Sequence, residues 1–155
     1  MTGVVGAVRG AVDGDCLVGR CRKEGCTVSL GGAPRNRLVV DFDKPGSPLG
    51  PDQARCDYLF VAEAAGRALV GLIEVKKGRI DASEARRQLQ AGARGAEPLV
   101  PSCRSIVFRP ILVSGGGMRR AERTAMRRAY VSFHGRREPL RRMACKARLM
   151  SAFAP

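Results

Sequence analysis

The stretch that most constrains this chain is Ala-Leu-Val-Gly-Leu-Ile-Glu-Val-Lys at 68–76. Successive side chains of an extended segment leave on opposite faces, and positions 68–73 offer nothing polar on either. A run of that kind belongs inside a sheet covered on both sides rather than in a surface hairpin. Glu74 and Lys76 then put charge at the end of the buried run, both on one face, with Val75 on the other. Any fold built on this strand has to accommodate two ionisable groups at the margin of an apolar layer.

The flanking segments predict the rest of that sheet. CDYLFV (56–61) is a second apolar run containing an acid near its start, joined to the first by EAAGR. If the chain folds back symmetrically about Ala65 and Gly66, Asp57 lies opposite Glu74, and directly opposed residues share a face. CTVSL (26–30), RLVVDFD (37–43), SIVFRPILV (105–113) and YVSFHG (130–135) read as further strands, and KPGSPLGPDQ (44–53) as a loop. Asp81 followed by Glu84 has capping-box spacing. It opens a helix to about Gly95 whose Ala85, Leu89, Gly92, Ala93 and Ala96 form a stripe of mostly small residues suited to lying close on a sheet. MRRAERTAMRRA (118–129) predicts a second helix, with Met118, Ala121, Ala125 and Ala129 on one side and Arg120, Arg123 and Arg127 opposite. With 155 residues, the chain is one domain's worth. The expected divisions are a loose lead-in at 1–25 with room for one short helix or strand, a folded domain at 26–135, and a basic, poorly patterned tail at 136–155. The order of elements predicts an α/β layer fold, helices packed on a mixed sheet.

Twenty-eight Lys and Arg against fourteen Asp and Glu give a net charge of +14, which suits a polyanion such as nucleic acid or an acidic membrane surface. The excess is local: from Met118 onward eleven basic residues face two glutamates. Arg119, Arg120, Arg123 and Arg127 are the candidate phosphate contacts, the alternative being a solvated helix face. No segment approaches the ~18 apolar residues of a membrane span, and the first residues lack a basic start followed by an apolar run. The expectation is a cytoplasmic protein with no membrane association and six reduced cysteines. Cys16, Cys21 and Cys26 stand five apart, wider than the pairs that hold zinc. Core packing accounts for them, with a zinc-stabilised module recruiting Cys56 or His134 as the competing reading. His134 reads as a surface residue, Tyr58 and Phe60 as core, and Gly115–Gly117 as a turn.

Two carboxylates facing one another repel unless a cation lies between them or one keeps a proton. Oxygen donors of this kind suit Mg²⁺ or Mn²⁺, and an adjacent lysine completes a set able to hydrolyse a phosphodiester. Asp57, the Glu74-Val75-Lys76 triplet and the capped helix after it resemble the PD-(D/E)xK nuclease superfamily over roughly residues 37–113. CTVSL, RCDYLF, EVKKG and DAS…QLQ are together similar to small uncharacterised bacterial members, without adding an activity. The resemblance implies a restriction-endonuclease-like mixed β-sheet flanked by helices and a Mg²⁺- or Mn²⁺-dependent nuclease acting on DNA. It assigns Asp57 and Glu74 as metal ligands with the Val75 carbonyl as a further one, Lys76 as the group assisting water attack, and Gln88 as an assistant from the helix, Gln90 pointing away. Cys56 stands where the family has proline. A further acid comes from Asp13, Asp15 or Glu24, or from Asp41 and Asp43 on a neighbouring strand, Asp43 being equally suited to starting a turn. A homodimer is one way to cut both strands. The reading from another class is a nuclease-fold protein that binds nucleic acid or acts as a scaffold and hydrolyses nothing.

Overall fold

The computed structural model describes residues 3–50, 53 and 55–154. Met1 and Thr2 of the expected lead-in, Pro51 and Asp52 of the expected loop, and Pro155 of the expected tail lie outside the described residues. The doubly covered strand, β6 (Arg67–Lys76), runs through the interior of a six-stranded sheet. Before it in the chain come β1 (Leu17–Val18), β2 (Cys21–Lys23), β3 (Cys26–Val28), β4 (Arg37–Asp41) and β5 (Tyr58–Ala64); after it come β7 (Ile106–Ser114), β8 (Tyr130–Phe133), β9 (Arg136–Pro139) and β10 (Arg141–Ala144). The sheet order is β1-β4-β5-β6-β7-β10, while β2–β3 and β8–β9 are separate hairpins. Pairings from β1 to β6 are antiparallel, and β6–β7 and β7–β10 are parallel. Among the described residues the three helices are α1 (Val4–Ala11), α2 (Ala82–Ala96) and α3 (Arg120–Arg127). This is a mixed α/β fold, and α2 makes the crossover that two parallel neighbours such as β6 and β7 require.

The alternation along β6 divides the core. Ala68, Val70 and Leu72 join Leu59, Val61, Leu89, Ala85, Val5 and Phe133 on one face. Ile73 and Val75 join Tyr58, Phe60, Val28, Leu149 and Ala152 on the other. All three helices lie on the first face. The second is covered by the β2–β3 hairpin and a C-terminal 3-10 turn (Leu149–Phe153) rather than by a helix, so helices flank the sheet on one side only.

The described parts of both terminal segments are more fully packed than expected. The lead-in folds: Val4, Val5 and Val8 are buried, and the Val5 N–H donates to Glu63 Oε1 at 2.5 Å, satisfying one of the free N–H groups at the start of α1. The tail folds too, since β10 extends the main sheet and Phe153 packs on Phe60 with ring centroids 6.0 Å apart. The divisions at 25 and 135 therefore separate nothing structural. Nor are all cysteines free: Cys26 and Cys145 form a disulfide. Cys16 packs on the opposite face of the sheet from Cys21 and Cys26, so the three do not form one metal site. In α3, Met126 is buried and Met118 packs against the same core, while Ala121 and Ala125 are exposed. The helix is turned this way because Glu122 reaches inward, its Oε2 accepting from the Ala82 N–H at 2.7 Å. Among the described residues no helix is long and apolar enough to cross a membrane.

Candidate active site

The geometry starts at a turn. Ala65 and Gly66 both have positive φ, 51° and 74°, the conformation of a two-residue hairpin whose twist matches its strands. The resulting register, Ala64 on Arg67 through Tyr58 on Ile73, is the one expected from symmetric folding. Continued by one residue it would set Asp57 on Glu74, but there the ladder slips. The Asp57 N–H donates to the Ile73 carbonyl at 3.0 Å, and the Asp57 carbonyl accepts from the Phe42 N–H at 3.1 Å. The Val75 N–H is left to the Asp57 side chain, donating to Oδ2 at 2.7 Å. A carboxylate thus replaces main chain in the ladder and is fixed across β6. The N–H and carbonyl of one strand residue leave on the same edge, so the Val75 carbonyl also faces this opening.

Asp57 and Glu74 are only 6 % and 3 % exposed. Burial, followed by the charge of Asp57 and a hydrogen bond between the two carboxyl groups, pushes the Glu74 acid up to about 8, with Lys76 pulling the other way. Lys76 Nζ lies 3.4 Å from Glu74 Oε2 and 3.6 Å from Glu84 Oε1. Only half of the predicted capping box forms: Asp81 Oδ1 accepts from the Glu84 N–H at 3.1 Å, whereas the Glu84 carboxylate turns to Lys76. One helical turn on, Gln88 lies between Glu84 and Gly92 on the same helix face. Gly92 abuts Cys56 so closely that a Cβ would stand 2.3 Å from its sulfur. Gln88 thus lies one helical turn from each of these two contacts, and its buried Oε1 has no hydrogen-bond partner among the described residues. Gln90, as expected, serves elsewhere, its amide exchanging hydrogen bonds of 3.0 and 2.9 Å with the Ser132 backbone.

Sequence reasoning missed two cations. Lys23 Nζ donates to Asp57 Oδ1 and, at 2.6 Å, to Asp43 Oδ2. Arg55 Nε reaches Asp43 Oδ1 at 2.9 Å. Burial acts against both charges of the Lys23–Asp43 pair, but their mutual hydrogen bond, with those from Asp57 and Arg55, raises the Lys23 ammonium and lowers the Asp43 carboxyl. Asp43 is thereby linked to Asp57 through Lys23, whereas the side chain that caps the turn is that of Asp41, whose Oδ1 takes the Asp43 N–H at 2.9 Å; of the two acids only Asp43 reaches the site, and it does not start the turn. Asp13 instead caps a 3-10 turn, accepting from the Asp15 N–H. Lys23 is held in place by Tyr58, whose hydroxyl donates to the Arg22 carbonyl at 2.7 Å and accepts from the Arg22 N–H at 3.2 Å. The signal for this hairpin was Glu24-Gly25 between Cys21 and Cys26, two residues of positive φ in the structure.

Among the described residues no three His, Cys, Asp or Glu side chains converge as a metal cluster. What is present, two carboxylates forced together beside a backbone carbonyl, fits a hard ion that keeps much of its water shell. Arg119, Arg120, Arg123 and Arg127 are all exposed, on a helix tied through Glu122 to the first turn of α2. His134 is distant in role, its Nε2 lying 2.6 Å from the Val100 carbonyl. No protein-family model, curated protein or solved structure matches this chain.

Proposed function

We propose that the protein is a divalent-metal-dependent nuclease of the PD-(D/E)xK type, with a restriction-endonuclease-like fold, hydrolysing phosphodiester bonds in DNA. The observation that carries this reading is the buried Asp57–Glu74 pair with the Lys76 ammonium 3.4 Å from Glu74. Two acids kept from water at the carboxyl end of a parallel strand, with a helix starting beside them, are costly to stability and sit where α/β folds bind ligands. Asp57, Glu74 and the Val75 carbonyl would hold Mg²⁺ or Mn²⁺. Such an ion supplies positive charge to the phosphodiester and acidifies water. Glu74, whose acid is pushed up by burial and by Asp57, would ionise readily where a cation neutralised the pair. Lys76, steered by Glu84, points an ammonium at the place where charge gathers on the phosphoryl oxygens, and the free Gln88 Oε1 is positioned to orient the attacking water. Arg119, Arg120, Arg123 and Arg127 would grip phosphates without reading bases.

A second reading, a nucleic-acid-binding or scaffolding protein without hydrolysis, draws on Lys23, whose ammonium already occupies Asp57 Oδ1. Cleavage of supercoiled plasmid, linear duplex and single-stranded DNA, in Mg²⁺, Mn²⁺ or EDTA, separates the two. Metal-dependent cutting should fall by about 10²-fold or more in Glu74→Ala and Lys76→Ala, the scale of losing one group that stabilises developing charge. Equal cutting by wild type and variants would identify a contaminant and overturn the proposal. Binding at low salt without cutting by any of them would establish the second reading.

A further inference from the structure

The acidic centre already contains a cation that belongs to the chain. Lys23 touches Asp57 Oδ1 and Asp43 Oδ2, while Asp57 Oδ2 is turned toward Val75 and Asp43 Oδ1 is held by Arg55. Both oxygens of Asp43 are thus committed to side-chain cations, and only the Asp57–Glu74 side of the cluster lacks one between its acids. Lys23 is also unlike a wandering surface lysine. Tyr58 clamps the main chain of Arg22 from both its N–H and its carbonyl. Cys26, directly across the hairpin from Lys23, is bonded to Cys145 beyond the end of β10. The ammonium is therefore delivered to its two carboxylates by a backbone pinned on both arms of the hairpin.

We propose that Lys23 is a positioning residue that takes the place of a second metal ion, so that the centre admits one divalent cation, and that removing its charge opens a second ion site between Asp43 and Asp57. This rests on the metal-dependent reading above. An ammonium bridging two carboxylates satisfies the same oxygens that a second ion would need, and a further divalent charge beside Lys23 and Arg55 would be repelled.

The test counts ions, independently of catalysis. Mn²⁺ is titrated into metal-free full-length protein, and bound ions per chain are read by equilibrium dialysis with electron paramagnetic resonance of the free ion. Wild type and Lys23→Arg should bind one Mn²⁺, Lys23→Ala two, and Lys23→Ala combined with Asp43→Asn one again. Lys23→Met, which keeps most of the stem packing, should also bind two and guards against misfolding of the alanine variant, with circular dichroism as the check. Two ions in wild type, or one in both Lys23→Ala and Lys23→Met, overturn the proposal and leave the metal centre standing. None in wild type but one in Lys23→Ala would mean that the lysine excludes metal altogether, which also overturns it. No binding in any of these proteins removes the metal-dependent reading itself.

Discussion

Glu74 is the residue at which this protein gives up stability. Its acid, buried beside Asp57, binds a proton more tightly in the folded chain than in the unfolded one. The associated stability is complete below the ordinary carboxylate range and is lost as pH rises toward about 8, where the folded protein must hold a second negative charge out of water. In EDTA, the melting temperature of wild type should therefore decline between about pH 5 and pH 8 by more than that of Glu74→Gln, which keeps the shape and has no proton to lose; parallel pH profiles for the two would contradict this. That Asp57 and Glu74 come together was legible from alternation and one turn, but the slip that sets Asp57 across the Val75 N–H instead of directly opposite Glu74 was not. Lys23 was not, because what makes it important is the company of Asp43 and Asp57, 20 and 34 residues away, and no local pattern records that.

Secondary-structure elements were read best where periodicity and chemistry agreed. β6 and α2 came within a residue or two of their expected ends, since one is an unbroken apolar run and the other has a capping aspartate. α3 was placed correctly, and Met118 and Ala129 pack inward with Arg120, Arg123 and Arg127 outside as expected, but Ala121 and Ala125 are exposed: alanines predict an inward stripe only when nothing stronger competes, and Glu122 gains a hydrogen bond to an otherwise free N–H of α2 by facing in. β10 escaped notice because four residues, Arg-Arg-Met-Ala, bury little beyond Met143. The hairpin turn between β5 and β6 is itself imperfect, for Ala65 adopts a left-handed φ of 51° that costs an ordinary L-residue about 1 kcal/mol. Ala65→Asn, matching the Asn-Gly preference of this turn, should stabilise the fold by about 0.5–1 kcal/mol in chemical denaturation; a loss of stability would show that this turn does not hold the register as described.

For the whole molecule, the helix Val4–Ala11 and the segment from β10 to Phe153 are part of the fold rather than appendages. The Cys26–Cys145 bond spans 119 residues, and a cross-link of that reach restricts the unfolded chain by about 5 kcal/mol on loop-closure grounds. Reduction, or Cys145→Ser, should lower the denaturant midpoint by a corresponding amount, and an unchanged midpoint would mean that the bond contributes nothing. The layered α/β class was readable from the order of strands and helices, but the one-sided placement of the helices was not, because the covering of the second face comes from a hairpin and a 3-10 turn with weak patterns. The turn at Ala65-Gly66 also has an effect far from itself. It lies at the exposed tip of an arm about 30 Å long, yet together with the apolar pattern of both strands it sets which positions of that arm look toward the helices. A one-residue slip of the pairing would turn one strand's side chains to the opposite face, so the chemistry at one end of the arm is aimed in part from the other.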